Sequence, residues 1–460
     1  MVKSSPPADS LSWSLTEGID ATHLVLDSIR LGRSESRTQI EERTGLGRAV
    51  VAQRIAELVA RGLVSEAGAQ ASTGGRPARR LRFRAQAGCL LAVDLGATSM
   101  DVAITDLAGD IVGHANEAAD IAQGPDVILT RVEELLDGQL ATHPGRPIYG
   151  IGLGVPGPVE FSTGRPVSPP IMPGWDEYPI RERLAARYGA PVWVDNDVNV
   201  MAMGEWRKGV AVGHRNSVFV KIGTGIGAGL ISDGVLHRGS QGAAGDVGHI
   251  QVGDERSITC RCGNVGCLEA LAGGHAIGRD AELVARAGRS ARLAELLERE
   301  GRITAEDVAV AARHGDRASV ELLARSGRLV GGMLAGIVNF FNPSLIVVGG
   351  GVSASGDGLL AAIRESVYRR SLPLATRELS IVRSGLGGFA GVIGAAAIAA
   401  DELFGRDRLA VTLAGAAGGP PSASTAASDY SDPRQEGAGA PMKAGQPVVA
   451  RVGRMEEKGR

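Results

Sequence analysis

Aromatic residues are scarce in this 460-residue chain: Phe, Trp and Tyr make up only 3% of it, against 44% hydrophobic residues in all. A core built with so few rings is aliphatic and alanine-rich, which argues for Val/Ile/Leu strands layered with helices and against an aromatic-rich sandwich. Net charge is nearly absent too. The 49 Lys+Arg and 51 Asp+Glu leave −2, so the global balance speaks neither for nor against a nucleic-acid partner. The first twenty residues, MVKSSPPADSLSWSLTEGID, lack the apolar centre of a signal peptide, and a cytoplasmic protein is expected. The longest charge-free run follows Arg328, but Asn339, Asn342 and Pro343 divide it into a helix and a strand, so no membrane span is expected. Cysteines number only four, and in a reducing compartment they read as thiols or metal ligands rather than disulfides. Glycine is plentiful at 66 residues, supplying tight turns and close backbone approaches, and the length suits two or three domains of about 150 residues.

Three of the four cysteines fall in one stretch, GDVGHIQVGDERSITCRCGNVGCLE, between Gly245 and Glu269. His249, Cys260, Cys262 and Cys267 offer one imidazole and three thiolates, the donor set of a closed tetrahedral zinc site with ligand bonds of about 2.0 to 2.3 Å. Four protein ligands leave no position for a reacting water, so the expected role is structural. The alternative is three core or redox cysteines without a metal. Core cysteines would be dispersed, however, and a redox pair more usually reads CxxC.

Residues 1–20 are expected to be flexible and residues 21–85 to form three helices and a hairpin. The first helix reads ATHLVLDSIRLG, with Leu24, Leu26 and Ile29 apolar. SRTQIEERTG is the second, and GRAVVAQRIAELVARG the third, with Val51, Ile55, Leu58 and Val59 at helical spacing. Strands LVSEA and RRLRFR, joined through TGGRPA, complete a unit that resembles a winged helix-turn-helix. From Arg30 to Arg84 there are twelve arginines against five acids, a net of +7 on a near-neutral protein, as a phosphate-binding face requires. In such a unit the third helix enters the major groove, which makes Arg48, Gln53 and Arg54 candidates for base or phosphate contact, with Arg76 reaching from the wing. The competing reading is a solvated face of an interaction domain.

From Cys89 to about Ala400 strands and helices alternate. CLLAVDLGATSMDVAITDLAGDIVG and SVFVKIGTGIGAGLISDGVLHRG each read as a strand, a small-residue loop and another strand, and such loops let backbone N–H groups approach phosphate oxygens. Neither opens a helix, so neither is a Rossmann fingerprint. A third glycine cluster, IVVGGGVSASG, closes a strand near Gly350. Residues 412–460, rich in Ala, Gly, Pro and Ser, read as a disordered tail.

Residues 21 to 405 together resemble the ROK family, which joins sugar-responsive repressors and bacterial sugar kinases. The elements that carry the resemblance are GHIQVGDERSITCRCGNVGCLE, GIGLGVPGPV from Gly150, VDNDVN from Val194, KIGTGIGAG from Lys221 and the glycine run at Gly349. The resemblance implies a winged helix-turn-helix followed by a two-lobed α/β actin-like ATPase (ribonuclease H-like) domain. Its first lobe would take in 88–205 plus 386–405, and its second 206–385 with the zinc site. Sugar-binding roles carry over to Asn196, Asp197, Asp246, His249 and Glu269. Nucleotide-binding roles carry over to Asp94, Gly96, Thr98, Gly223, Thr224, Gly225 and Gly350, and in a kinase using ATP and magnesium Asp197 would be the general base. On the dipeptide alone, Asn196-Asp197 also reads as a turn after a strand. Ala97 and Ser99 replace the family's usual second Gly and Lys or Asn, Asp246 stands where Glu is usual, and GLGRAVVAQRI departs from the usual recognition-helix pattern. Two activities therefore remain open. One is a repressor of carbohydrate uptake or catabolism genes, released from operator DNA by a sugar and assembled as a homodimer or homotetramer; the other is an ATP-dependent sugar kinase with a fused DNA-binding module.

Overall fold

A computed structural model describes residues 8–69, 79–254 and 258–416. Helix α1 (Ala8–Arg30) begins at Ala8 rather than at Ala21, inside the stretch expected to be flexible, and residues 1–7 of that stretch lie outside the described residues. No proline lies inside the helix, and a lone Gly18 costs it only about 1 kcal/mol. Helix α2 (Arg37–Thr44) opens on a capping box of Ser36 and Gln39 and stops at the left-handed Gly45. Helix α3 (Arg48–Ala60) buries Val51, Ile55 and Leu58 against Val25, Leu26, Ile29 and Ile40. Leu24 and Val59, expected inside, are exposed, and Val25 takes the inward place on α1. Strands β1 (Val64–Ala69) and β2 (Arg79–Phe83) pair antiparallel with Val64 opposite Phe83.

The first lobe is one mixed sheet of order β5-β4-β3-β6-β9. Strands β3 (Cys89–Leu95), β4 (Ser99–Asp106) and β5 (Ile111–Ala118) run as an antiparallel meander, after which α4 (Pro125–Thr142) leads into β6 (Ile148–Val155), parallel to β3. The two-residue strands β7 (Val159–Glu160) and β8 (Arg165–Pro166) precede α5 (Ile180–Tyr188), and β9 (Val192–Asn196) joins parallel to β6. Helix α6 (Asp197–Lys208) then crosses to the second lobe.

The second sheet has the order β12-β11-β10-β13-β14. Its meander is β10 (Ser217–Ile222), β11 (Ile226–Ser232) and β12 (Val235–His237). Five helices follow, α7 (Leu268–Ala272), α8 (Gly274–Arg286), α9 (Ala291–Glu300), α10 (Ala305–Arg313) and α11 (Arg317–Phe341), before the parallel β13 (Leu345–Gly349). Helices α12 (Asp357–Arg370) and α13 (Pro373–Thr376) lead to β14 (Ser380–Arg383), parallel to β13. Continuous apolar runs such as LIVVG fit strands covered on both faces.

Helix α14 (Ala390–Phe404) packs along α6 and the first sheet. The stretch Gly387–Phe404 is long and apolar enough to cross a bilayer, yet two-thirds of it is buried inside the protein as a core helix. Helix α15 (Leu409–Ala416) carries the fold past the expected end at 411: Leu409, Thr412 and Leu413 are buried, and the Thr412 hydroxyl donates to the Leu403 carbonyl at 2.8 Å. Leu409 and Leu413 stand one helical turn apart, a stripe that the surrounding Ala and Gly conceal in composition. Residues 417–460 of the expected tail lie outside the described residues. The N-terminal unit docks here. Phe83 meets Phe404 edge-on at 5.6 Å, His23 Nδ1 lies 2.9 Å from the Phe404 carbonyl, and Arg61 donates to the Leu413 carbonyl at 2.6 Å. The winged helix-turn-helix and the two-lobed α/β domain thus share one apolar core.

Candidate functional site

The four metal-ligand candidates converge. Ligand atoms of His249, Cys260, Cys262 and Cys267 lie within 4.8 Å of one another. His249 Nδ1 is 3.5 Å from Cys260 Sγ, and Cys262 Sγ is 3.8 Å from Cys267 Sγ. A tetrahedron with bonds of about 2.1 to 2.3 Å has edges of about 3.5 to 3.8 Å; the His249–Cys260 and Cys262–Cys267 separations match these and no pair exceeds 4.8 Å, so the donors are gathered around the position of one zinc ion. Local backbone pairing sets them: Gln251 bridges Cys267, Thr259 bridges Val265, and the Cys260 N–H donates to the Asn264 carbonyl at 2.7 Å. The other imidazole nitrogen, Nε2, faces the Asp246 carboxylate at 3.9 Å, beyond direct hydrogen-bond distance. Asp246 is half exposed.

Glu269 follows the last cysteine in the first turn of α7. Its Oε1 is 4.0 Å from Cys260 Sγ, and its Oε2 accepts from the Ile226 N–H at 3.3 Å. It lies so close to the second glycine loop that a methyl at Gly225 would stand 2.0 Å from Oε2 and would displace the carboxylate. The metal quartet and the Gly223-Thr224-Gly225 loop are therefore neighbours. A cavity of about 300 Å³ between them is lined in part by Thr224, Gly225, Cys260, Arg261, Glu269 and His275. Burial, aided by Arg261 and Arg279, holds the His275 imidazole below its ordinary pKa, so it is neutral at neutral pH. The turn at Gly350 packs against the backbone of Ile222 beside the same loop.

The first lobe contributes carboxylates. At the end of β9, Asn196 caps α6: its side-chain oxygen accepts from the Val198 N–H at 2.9 Å, and its amide donates to the Gly157 carbonyl at 3.0 Å. Asp195, nearly fully buried, accepts from the Asn196 N–H and Asn199 Nδ2, both at 2.8 Å, and pairs with Arg238 of the second lobe at 2.7 Å. Asp197 is buried and ion-paired with Lys221 Nζ at the end of β10. Asp94, on β3, is buried in the same cluster; a methyl at Gly391 of α14 would stand 1.8 Å from its Oδ2. Burial raises the Asp94 carboxyl to about 7; Lys221 lowers it, while Asp197 and Asp101 add to the rise. Gly96 and Thr98 form the turn after β3. The Gly96 N–H donates to the Ser99 carbonyl, and Thr98 is exposed.

Sequence reasoning did not single out Lys221, Asp195 or Arg238. A signal existed for the first: a lysine inside the apolar strand SVFVKI is anomalous unless a carboxylate faces it. On the N-terminal unit, Arg48 and Gln53 stand on the exposed face of α3. Arg54 is turned aside, paired with Glu57 at 3.0 Å and lying beside Gly18. Arg76 lies outside the described residues.

Comparison with known proteins separates these two regions. The sequence profile described as ROK family matches residues 90–402. A glucokinase of Halalkalibacterium halodurans is 35% identical over 304 residues, which cover 66% of this chain and 92% of that protein. A xylose repressor of Caldicellulosiruptor bescii is 30% identical over 383 residues, covering 83% of this chain and 95% of the repressor. Among solved structures, a ROK family transcriptional regulator described as a homolog of the E. coli MLC protein superposes with a TM-score of 0.72 at 28% identity, over 85% of this chain and 98% of its own. The regulators match nearly end to end, whereas the kinase match is confined to the ROK part.

Proposed function

The chain belongs to the ROK family, and we propose that within it this protein is a sugar-responsive, DNA-binding transcriptional repressor of carbohydrate uptake or catabolism genes. The observation that carries the proposal is the N-terminal unit itself, a three-helix core with a hairpin whose third helix presents Arg48 and Gln53 outward. Xylose repressors match across that unit. Arg48 and Gln53 would contact operator DNA, with Arg76 reaching from the wing; Arg54 would serve only if its pairing with Glu57 opens.

The sugar would bind between the lobes, met by Asn196, Asp197, Asp246, His249 and Glu269. These groups offer acceptors and donors to hydroxyls that need both, and each hydroxyl left unpaired in a buried site costs about 1 to 3 kcal/mol. Zinc, when bound, supplies a rigid tetrahedral clip. His249 and the three cysteines would thereby hold the loop that aims Glu269.

A route to the DNA-binding unit starts at the same place. Asp197 begins α6, a twelve-residue helix of about 18 Å. Near its far end Arg207 pairs with Asp401 of α14, and Asp401 also holds Arg30 of α1 at 3.0 Å. Movement of one lobe on the other would therefore reach the last turn of the first DNA-binding helix, and operator affinity would change because the sugar binds the two states unequally. A homodimer or homotetramer acting in the cytoplasm suits paired half-sites.

A kinase reading is favoured by one observation, the persistence of Asp94 and Asp197 in the cleft, where Asp197 would accept the proton of a sugar hydroxyl. Binding of the purified protein to DNA fragments from its own genomic neighbourhood, with a panel of neutral sugars and with ATP, separates the two. Salt-sensitive binding released by one sugar without ATP supports the repressor. Sugar-dependent ATP turnover abolished by Asp197→Asn, with no specific DNA binding, would establish the kinase.

A further inference from the structure

Lys221 stands in a strand whose neighbours Val218, Phe219, Val220 and Ile222 are all buried. Taking an ammonium out of water costs several kcal/mol unless opposite charge and hydrogen bonds compensate. Compensation comes from the other lobe. Lys221 Nζ reaches across the cleft to Asp197 Oδ2, with the lysine side chain 20% exposed and the aspartate 6%. Burial works against the charge, but Asp197 and Asp94 more than offset it and hold the lysine above its ordinary pKa, so it stays protonated.

The two aspartates meet around one point of β6. A methyl at Gly154 would stand 3.2 Å from Asp94 Oδ1 and 3.3 Å from Asp197 Cα. Asp94 Oδ1 is buried and accepts no hydrogen bond. Two aspartates that border the same glycine, one with an unused carboxylate oxygen, make the kind of hard-oxygen corner on which magnesium is held through one or two carboxylates, with waters and substrate phosphates completing the octahedron. Here that corner already contains a cation.

We propose that Lys221 is a built-in counter-ion that takes the place of a divalent metal between Asp94 and Asp197. The ammonium, ion-paired with Asp197 and near enough to Asp94 to favour its charged form, neutralises the corner with a single charge and a fixed stem, and a divalent ion would have to displace it. It also ties up the Asp197 oxygen that would otherwise take a proton from a sugar hydroxyl. The cleft thus keeps its acceptors for hydroxyls while dispensing with the metal that phosphoryl transfer requires. This consequence rests on the sugar-sensor reading; the cation substitution itself rests only on the geometry.

The test is titration of the zinc-loaded, full-length protein with Mn²⁺ and Mg²⁺, read by calorimetry and by the unfolding temperature. Wild type is expected to show no Mn²⁺ site that depends on Asp94 and no Mg²⁺-dependent rise in Tm. Lys221→Ser, which clears the corner, is expected to gain one Mn²⁺ site per chain and a saturable Tm rise of a few degrees. Both gains should be lost in Lys221→Ser/Asp94→Asn. Lys221→Gln serves if the serine variant does not fold. An Asp94-dependent Mn²⁺ site in wild type overturns the proposal, as does a folded Lys221→Ser or Lys221→Gln that gains none. Neither readout involves DNA, so failure of operator binding and failure of the counter-ion idea are distinguishable.

Discussion

The two lobes follow one plan, an antiparallel three-strand meander with two parallel strands added beside its first strand, yet they arm the cleft with opposite chemistry. The penultimate residue of that first strand is Asp94 in one lobe and Lys221 in the other. Ligands of open α/β sheets gather where strand carboxyl ends face a crevice. The same topology therefore delivers a carboxyl group to the cleft from one side and an ammonium from the other. The lobes also differ in how their functional edge is held. Asp195, Asn196 and Asp197 sit at a strand-to-helix junction fixed by backbone capping and packing. In the second lobe, the segment from Arg238 to Cys267 has little regular structure among its described residues beyond one short turn of 3₁₀ helix and isolated bridges. Loops of that length are rarely ordered unaided; the His249 and cysteine cluster is what the second lobe has in place of packing.

Removing the clip should expose that difference most strongly. Cys262→Ser is expected to reduce zinc from one ion per chain to none and to abolish the sugar response. Structural zinc contributes on the order of 10 kcal/mol in small modules, so Tm should also fall. The N-terminal core shares no residue with the clip, and DNA binding at low temperature should survive. Elemental analysis beside a DNA-binding titration decides it, since full zinc occupancy in the variant would sink the ligand assignment.

A second substitution tests whether the lobes speak to the DNA-binding unit through α6. Asp401→Asn removes the charge shared by Arg30 and Arg207 while keeping the side chain's size. Zinc content and sugar affinity should hardly change, whereas the sugar-induced loss of operator affinity should shrink by about tenfold, roughly 1.4 kcal/mol of coupling. Arg30 is buried, so some loss of stability is expected as well. An unchanged sugar response in a folded Asp401→Asn protein would remove this ion-pair route from the account.

What the sequence revealed and what it concealed divide along physical lines. The quartet of His249 and three cysteines was legible because all four lie within nineteen residues and their spacing has few uses other than holding a metal. The first and third helices were legible because Leu26, Ile29, Val51, Ile55 and Leu58 recur at helical spacing and are buried together. The Lys221–Asp197 and Arg238–Asp195 pairs were not, since each joins two lobes across more than twenty residues and no periodicity records a contact of that kind. Helix α15 was hidden by composition: two leucines in an Ala/Gly background look like tail until Phe404 and Arg61 are in place beside them. Arg54 was named from its position on α3 alone, and its ion pair with Glu57, three residues further on, was not foreseen.

The mildest test concerns pH and again sets one lobe's strand end against the other's. Burial holds the Asp94 carboxyl at about 7, against an ordinary value of 3.8. Between those values the folded protein keeps a proton that the unfolded chain has released, so Asp94's contribution is fully present below about 4 and is lost as pH rises toward 7. Asparagine mimics the protonated acid at every pH. Asp94→Asn should therefore match wild type near pH 4 and become progressively more stable than it up to about pH 7, where the difference levels off at on the order of 2 to 4 kcal/mol. Urea unfolding of both proteins across that range measures it. Lys221→Gln in the same series sharpens the comparison: without the ammonium, the wild-type Asp94 loses its one favourable partner and the titration should move to higher pH. A gap between wild type and Asp94→Asn that stays constant with pH would mean that Asp94 is ionised throughout, and that Lys221 balances two full negative charges rather than one.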